Sequence, residues 1–482
     1  MAGGMDMAAM VLTTVTKLRW PLIMAGVIAS NSVPAAELGA SITVGLSNTD
    51  NALLVPSPDE VEDRVLWLSP TIDFTHESAS LDANLRYRLD WYKFDELDET
   101  STFHMGELSI TPKFWQENLE FEVGARRAQV LRSPTLGIQP GRLPITNNLV
   151  DRDEVFANPR LDLELGRAVS LLADYRYTEG SYDDPVADIQ DDTIHDGRFS
   201  VDNYRSGRGL TWAARYNYRK TEYEVSPPWE YQQAGIEAGF WVNSEVRVFA
   251  SGGQESAWDD PVDTGLSDPF WEVGLARDTG DRFTAVVAVG ERSFGPSWRG
   301  NLEFEFRRGS TSLSYSETPT TTAFNLNGPR LNVIDPDDFV EFLDTPGEAE
   351  RFVLNRLEWN LQLDYRRTDV EVVVFSEDRT ERLLADGSFL PDQWQRGAGI
   401  SFVWEAGRRT DLGLSGTAIR RDDGEFNSSD FMVASASITY RLHSRSNLTL
   451  SYEYAKEEPR EDSVSTIDYV SNVVTLAFTY SL

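Results

Sequence analysis

The sequence predicts an all-β protein, a transmembrane antiparallel outer-membrane β-barrel of about 22 strands with no plug domain. Three observations predict this fold: a strictly alternating C-terminal strand, an N-terminal export signal, and connections that alternate between short and long. Residues 1–36 are the predicted signal peptide and residues 37–482 the barrel. The predicted barrel follows the signal so closely that we expect no plug domain before the first strand.

The C-terminal segment has the pattern of a barrel-closing strand. Its alternate residues are apolar, and they are Val474, Leu476, Phe478, Tyr480 and Leu482. An aromatic residue close to an apolar terminus is typical of the last strand of an outer-membrane barrel, although that strand commonly ends in Phe or Trp rather than Leu. The alternative is the final strand of a soluble β-sandwich.

The N-terminal segment has the three parts of an export signal. Lys17 and Arg19 precede an apolar run at 20–29, and the small residues Ala35 and Ala36 offer a cleavage site. The run is shorter than the roughly 20 apolar residues that a membrane-spanning helix needs. We therefore expect export to the outer membrane of a Gram-negative bacterium, with both termini of the mature chain in the periplasm.

Several segments alternate between apolar and polar residues over about ten positions, the length of a tilted membrane-spanning strand. The clearest are 81–91, 298–307 and 356–365. Apolar positions such as Leu85, Leu89, Phe304 and Leu361 are predicted to face lipid. The polar positions are predicted to face the lumen, and they are Arg86, Arg88, Asp90, Glu120, Glu122, Arg299, Asn301, Glu303, Glu305, Arg307, Glu358, Asn360, Gln362 and Asp364.

The predicted connections separate into two classes. Short turns at 115–118, 166–169 and 443–446 alternate with mostly longer, acidic loops, which is the pattern of periplasmic turns and extracellular loops. The longest loop, 318–350, contains apolar residues and a short-helix pattern after Asp335. We expect it to fold into or across the extracellular mouth and constrict it. A self-packed cap and a partner-binding patch are the alternatives.

Aromatic residues cluster near the predicted strand ends. Interfacial girdles at the headgroups are the favoured interpretation, with an ordinary strand preference as the alternative. The residues beside the long loops are Trp91, Tyr92, Tyr175, Tyr177, Tyr218, Tyr223, Trp271, Trp298 and Trp394. The residues beside the short turns are Phe114, Trp115, Phe240, Trp241, Trp404, Tyr440 and Tyr480.

Composition limits the partners. The formal net charge is −34 and the chain has no cysteine, which excludes disulfides and thiolate metal sites. So acidic a chain repels nucleic acid. The predicted partners are outer-membrane lipid and lipopolysaccharide, the barrel-assembly machinery, and exopolysaccharide or export components. No cofactor is predicted.

Catalytic and metal-binding patterns are scarce. A Ser-His-Asp site at the rim using His104 or His195 has no nucleophile signature to support it. The carboxylate pairs Glu120/Glu122 and Glu303/Glu305 lie beside arginines, so lumenal charge networks are the better interpretation than a glycosidase pair. The acidic loop runs lack EF-hand spacing. We therefore predict neither an enzyme nor a metal site.

The first predicted hairpin resembles a known family. The segments 47–51, Leu54, 56–57, Asp63 and 68–72 resemble the opening motif of the outer-membrane proteins associated with PEP-CTERM/exosortase loci. Those proteins are porin-type barrels encoded among genes for exopolysaccharide synthesis and export. The family has no established catalytic residues to assign to this chain. The resemblance implies a porin-like channel that serves exopolysaccharide export or surface-polymer and protein sorting. The alternative is a structural or adhesive barrel with acidic surface loops and a closed lumen.

Overall fold

The computed structural model describes residues 36–131, 149–166, 168–183, 190–204, 209–258, 265–278, 282–326, 350–384, 387–422, 428–460 and 468–482. These residues form one antiparallel sheet of 22 strands. The predicted signal peptide lies outside the described residues apart from Ala36, so its boundary stays a prediction.

The strands alternate residue by residue between apolar and polar side chains, because each has one face toward lipid and one toward the lumen. They are β1 Ala36–Thr49, β2 Asp63–Glu77, β3 Leu81–Phe94, β4 Thr100–Phe114, β5 Leu119–Leu131, β6 Leu149–Leu165, β7 Val169–Asp183, β8 Asp192–Asp202, β9 Leu210–Tyr223, β10 Trp229–Trp241, β11 Val246–Glu255, β12 Asp268–Asp278, β13 Phe283–Arg292, β14 Gly295–Phe306, β15 Gly309–Thr321, β16 Glu350–Tyr365, β17 Thr368–Leu384, β18 Gln393–Glu405, β19 Thr410–Asp422, β20 Ser428–His443, β21 Ser446–Pro459 and β22 Tyr469–Ser481. A short helix, α1, spans Thr322–Leu326.

The sheet closes on itself. Each strand pairs with the next along the chain, and β1 pairs with β22, so that Ile42 lies opposite Tyr480 and Leu46 opposite Leu476. On the other face of this seam the hydroxyl groups of Thr43 and Thr479 lie 3.0 Å apart. Closure leaves no edge strand among the described residues, which is what a β-structure needs in lipid. The predicted all-β barrel and its strand number are confirmed.

The outward face of the barrel carries an apolar band. Exposed apolar side chains follow one another along β1 and β22, and the band continues around the wall. Its members include Ile42, Val44, Leu46, Val273, Leu275, Val287, Leu313, Ile400, Leu414, Ile438, Leu450, Leu476 and Phe478. So large an exposed apolar surface is stable only in contact with lipid, so the barrel spans a membrane.

The two ends of the barrel differ in their connections. At the end that holds Ala36 and Ser481, called the short-turn end, the links are brief, as between Leu165 and Val169. At the opposite, long-loop end the links are mostly longer. The exception is the hairpin between β13 and β14, which has only Ser293 and Phe294. None of the helical residues described here forms a helix long and apolar enough to cross a membrane.

Candidate functional site

The candidate site is the lumen, whose two halves are packed differently. Along β22 the inward residues Tyr469, Ser471 and Val473 are buried, Thr475 is half-buried, and Ser481 is exposed. The strand thus runs from a filled region at the long-loop end to an open region at the short-turn end. We call these regions the packed half and the open half of the lumen.

The first loop contributes to the packed half. Leu54, in the β1–β2 connection, is 2% exposed and has a φ of 52°. The side chain of Asn51 fixes this turn, because its Nδ2 donates to the carbonyls of Val55 at 2.8 Å and Val470 at 3.0 Å. The amide of Val55 donates to Asn51 Oδ1 at 3.0 Å. The loop is therefore attached both to itself and to β22.

Leu54 packs into an apolar cluster that joins distant parts of the wall. Its other buried members are Phe375, Ile419, Phe431, Val433, Ala455 and Tyr469, with Leu149 of β6 packed against it. These residues come from β17, β19, β20, β21 and β22 as well as β6. The first loop thus meets several strands inside the mouth.

Two further clusters fill the packed half. One comprises Val65, Trp67, Tyr92, Phe94 and Val473. Trp67 packs against β1 at the seam, where its Nε1 donates to Ser47 Oγ at 3.1 Å, and a Cβ added at Gly45 would lie only 2.1 Å from its ring.

The third cluster comprises Trp229, Tyr231, Trp258 and Val353. The Arg351 guanidinium stands 5.5 Å from the centre of the Trp258 ring.

A strap crosses the lumen at the end of β15. We use this name for residues 319–324, which run from β15 into α1. Thr321 Oγ1 lies 3.1 Å from Thr221 Oγ1 of β9, and Arg219 donates to the carbonyl of Pro319 at 3.3 Å. The Arg219 guanidinium also lies 4.5 Å from the centre of the Phe324 ring. Since β10 to β14 separate β9 from β15 along the wall, these contacts span the interior.

The predicted constricting loop, 318–350, falls largely on residues 327–349, outside the described residues. The strap is its described beginning. Constriction by the rest of the loop, and the helix predicted after Asp335, stay predictions.

Buried ion pairs hold the packed half together. Glu255 accepts from Tyr231 at 2.5 Å, from Arg292 at 2.8 Å and from the amide of Ser293 at 2.5 Å. Similar pairs join Arg152 to Asp192 at 3.1 Å, Arg382 to Glu350 at 2.5 Å, and Arg421 to Glu457. A buried charge without its partner is strongly destabilising, so each pair holds two strands in one arrangement.

The open half presents exposed charge and hydroxyl groups. Arg441 pairs with Asp411 at 2.6 Å with half of its side chain accessible. Hydroxyl pairs also line the wall, such as Ser415 of β19 with Ser435 of β20 at 2.7 Å. Hydrated polar groups of this kind suit the passage of a polar solute.

One buried polar cluster interrupts the open half. Tyr204, in the β8–β9 connection, donates to Glu237 at 2.6 Å, and Arg215 and Arg247 bind the same carboxylate at 2.9 and 2.6 Å. Burial raises the pKa of Tyr204 to about 12, and the hydrogen bond to Glu237 acts in the same direction. The phenol therefore stays protonated and donates at every physiological pH.

The residues predicted to line the lumen all lie in strands whose register turns them away from the apolar band, except Arg307, which lies in the turn after β14. In β3, Arg86 pairs with Asp73 at 3.1 Å, and Asp90 accepts from Ser69 at 2.5 Å. In β14, Asn301 donates to Glu303 at 2.9 Å. That these residues line a solute path stays a prediction.

The other predicted lumenal residues occupy equivalent registers. Arg88 binds Asp90 at 3.0 Å, and Glu358 binds Arg356 at 2.9 Å. Asn360 Nδ2 lies 3.5 Å from Glu371. The remainder of the set comprises Glu120, Glu122, Glu305, Gln362 and Asp364.

Three girdle predictions are wrong. Tyr92 is 1% exposed inside the second cluster, and Tyr223 lies on the same inward face as the strap, opposite Asp192. Trp241 lies opposite Arg247, which binds the inward Glu237. All three have inward strand positions, whereas Trp271 and Trp298 are exposed on the outward face. An aromatic residue near a strand end identifies the interface only when its register faces lipid.

The histidines near the rim have tyrosine partners. His104 Nδ1 lies 2.6 Å from the Tyr87 hydroxyl, and His195 Nδ1 lies 2.6 Å from the Tyr175 hydroxyl. Within the described parts of the chain, no group of three or more His, Asp or Glu side chains is placed to hold a metal ion.

Comparisons with known proteins give no family for this chain. No protein-family model and no curated protein matches the sequence. Among solved structures, the FrpB iron transporter from Neisseria meningitidis (F3-3 variant) is similar at 10% identity and a TM-score of 0.49, covering 92% of this chain and 81% of that one. The siderophore receptor PirA from Pseudomonas aeruginosa is similar at 11% identity and a TM-score of 0.43, covering 94% and 81%.

OpdO from Pseudomonas aeruginosa is similar at 9% identity and a TM-score of 0.33, covering 93% of this chain and 97% of that one. At such identities and TM-scores, these likenesses carry no argument about what this chain transports. The architecture rests on the chain's own strand pairing and outward apolar band.

Proposed function

We propose that the chain is a porin-like outer-membrane channel for a polar solute, and that the first loop and the strap hold its long-loop end closed. The supporting observation is the contrast within the lumen. The hydrated, polar open half leads to a packed half. The packed half is filled partly by the first loop and the strap, and not only by side chains of the strands. A few side chains, chiefly Asn51 and Leu54, attach the first loop, so a modest free energy separates the closed from an open arrangement.

Exopolysaccharide is the cargo that we favour, in an export or surface-sorting system of the PEP-CTERM type. The resemblance of the first hairpin supports this choice. The same hairpin contains Asn51 and Leu54, so the residues that carry the resemblance are also those that place the first loop in the mouth. A wall of hydroxyl and carboxylate groups suits a neutral glycan better than an acidic one, because the chain is strongly acidic.

The second candidate is a structural or adhesive barrel whose lumen never opens. The buried ion pairs favour it, because each must be broken or moved before a wide passage forms. In this case the acidic loops would be the functional surface.

Single-channel recording in planar bilayers separates the two candidates. Leu54→Ala removes a buried side chain from the contact between the first loop and the cluster around Tyr469, at a cost of about 2 kcal/mol or more, which shifts a closed-to-open equilibrium roughly 30-fold. We expect more frequent openings for this variant than for the wild type. Leu53→Ala is the matched control, because Leu53 is the neighbouring residue of the same size and is 41% exposed.

Absence of conductance in both variants, with heat-modifiable gel migration intact, would reject the channel and leave the structural barrel. The cargo is tested separately with neutral dextran oligosaccharides and acidic alginate oligosaccharides added to open Leu54→Ala channels. Transient blocks by the neutral series support glycan passage. Conductance without a block by either series would reject the cargo while retaining the channel.

A further inference from the structure

A row of charged residues crosses the outward wall at the long-loop end of β18 to β21. Register places Arg396 opposite Arg420, Arg420 opposite Asp430, and Asp430 opposite Glu458. Lys456 lies one outward position below Glu458. The row stands directly above the apolar band, whose members on these strands include Ile400 and Leu414. It therefore lies at headgroup level, in the outer leaflet if the long loops are extracellular.

The row borders a groove of about 520 Å³ in the outer wall. The groove has an apolar part, formed by Ala418, Met432 and Trp394, and a charged part, formed by the row itself. Ala418 lies opposite Met432 in the register and is the small residue beside it. A hydrocarbon chain fits the apolar part, and a charged headgroup fits the part above it.

The two arginines are unusual neighbours. Like charges directly opposite each other on adjacent strands are destabilising, so Arg396 and Arg420 pay an electrostatic cost unless an anion lies between them. Arg420 pairs with Asp430 at 2.6 Å, Arg396 with Asp378 at 3.6 Å, and Lys456 with Glu458. The side chains of the two arginine pairs are more than a third exposed, and exposed pairs of this kind contribute little and exchange readily for a stronger anion.

Two features distinguish the arginines of this row from the rest of the outward face. The Arg396 guanidinium lies 5.0 Å from the centre of the Trp394 ring, which orients it over the groove. By contrast, Arg127 at this end of the outward face is outnumbered by carboxylates, since it faces Asp151, Asp153 and Asp183 together. In a chain with a net charge of −34, adjacent arginines facing lipid headgroups are a local exception.

We propose that this groove binds a phosphorylated glycolipid of the outer leaflet, of the lipid A class. A phosphate lies between the guanidinium groups of Arg396 and Arg420, whose planar forks match phosphate oxygens, and Lys456 adds a point charge. An acyl chain follows the wall over Ala418 and Met432. The site lies outside the lumen and is independent of solute passage.

The test is native mass spectrometry of the full-length barrel in detergent, titrated with diphosphoryl lipid A, fully dephosphorylated lipid A and inorganic pyrophosphate. Replacing the three cations by Arg396→Gln, Arg420→Gln and Lys456→Gln together is expected to weaken binding of diphosphoryl lipid A by about 10-fold or more, because charge-assisted hydrogen bonds are lost. Wild-type protein is expected to prefer the diphosphoryl form over the dephosphorylated form.

Arg277→Gln is the matched control. Arg277 also faces outward, pairs with Glu245 at 3.5 Å and lies 5.4 Å from the centre of an aromatic ring, that of Phe283, but it stands near the short-turn end. We expect wild-type affinity from it. Equal affinity of the triple variant and the wild type would overturn the proposal, as would equal binding of both lipid A forms. Competition by pyrophosphate with no lipid retained would assign the site to free phosphate and overturn the lipid assignment.

Discussion

The packed and open halves of the lumen are built from the same strands, yet they use charge in opposite ways. Arg421 of β19 is buried, donates to Ser429 at 2.9 Å and pairs with Glu457. Arg441 of β20 pairs with Asp411 at 2.6 Å while half exposed to solvent. Both are inward arginines with an acidic partner. The difference is what lies across the lumen, apolar clusters in one case and open space in the other.

The two halves differ in how strongly each charged side chain depends on its partner. In the open half the charges are solvated, so their pairings add little to stability and leave the wall adaptable. In the packed half each charge depends on its partner, so the arrangement is fixed. In the proposed channel, a solute that enters from the short-turn end meets an adaptable wall first and a fixed one second.

The largest effect is expected from breaking a pair in the packed half. Arg421→Ala leaves Glu457 buried and unpaired, which costs about 3 to 5 kcal/mol, whereas Arg441→Ala in the open half costs about 1 kcal/mol or less. Urea unfolding of the refolded barrel in detergent, followed by gel migration, measures both. Similar losses for the two variants would show that the halves do not differ in this way.

A smaller effect is expected from a comparison of the two faces of one strand. Leu361 of β16 faces outward and Asn360 faces inward by register. Leu361→Arg places a charge in lipid and costs about 2 to 4 kcal/mol, whereas Asn360→Ser changes little. The amount of heat-modifiable barrel in isolated outer membranes is the measurement. If both variants assembled equally well, β16 would not span the membrane as described.

The smallest effect is expected at the seam. Gly45→Val pushes a side chain into the space of the Trp67 ring and is expected to cost about 1 to 3 kcal/mol through overpacking of the packed half. Gly300→Val is the control, because a Cβ there meets no atom within 4 Å. Unfolding midpoints in urea compare the two. A tolerated Gly45→Val would mean that Trp67 is not held against the seam.

Most of the architecture could be predicted from the sequence because facing is a local property. Alternation fixes which side chains of 298–306 point inward, and the short turns fix the strand count without knowledge of distant contacts. The hairpin between β13 and β14 is the one very short link at the long-loop end, and Ser293 and Phe294 complete it without a loop.

The packing of the lumen could not be predicted, because it depends on residues far apart in the chain. Leu54 lies in a polar loop, and only its contacts with the cluster around Tyr469 bury it. Thr221 and Thr321 read as ordinary strand residues until the closed barrel places them 3.1 Å apart. Arg421 and Arg441 both occupy inward strand positions with an acidic partner, and only their surroundings in the lumen differ. Period-two alternation gives the direction of a side chain and not what it meets.

Strand length varies around the barrel, and this gives the wall an uneven height. β6 and β17 have 17 residues each, whereas β11 and β13 have 10. Since about ten tilted residues cross the membrane, the longer strands continue roughly 15 to 20 Å beyond it, and the shorter ones end near the headgroups. The wall is therefore tall at β6 and at β17, which lie on opposite sides of the closed sheet, and low at β11 to β13 between them. A macromolecule moving along the membrane surface meets the lowest part of the wall at β11 to β13.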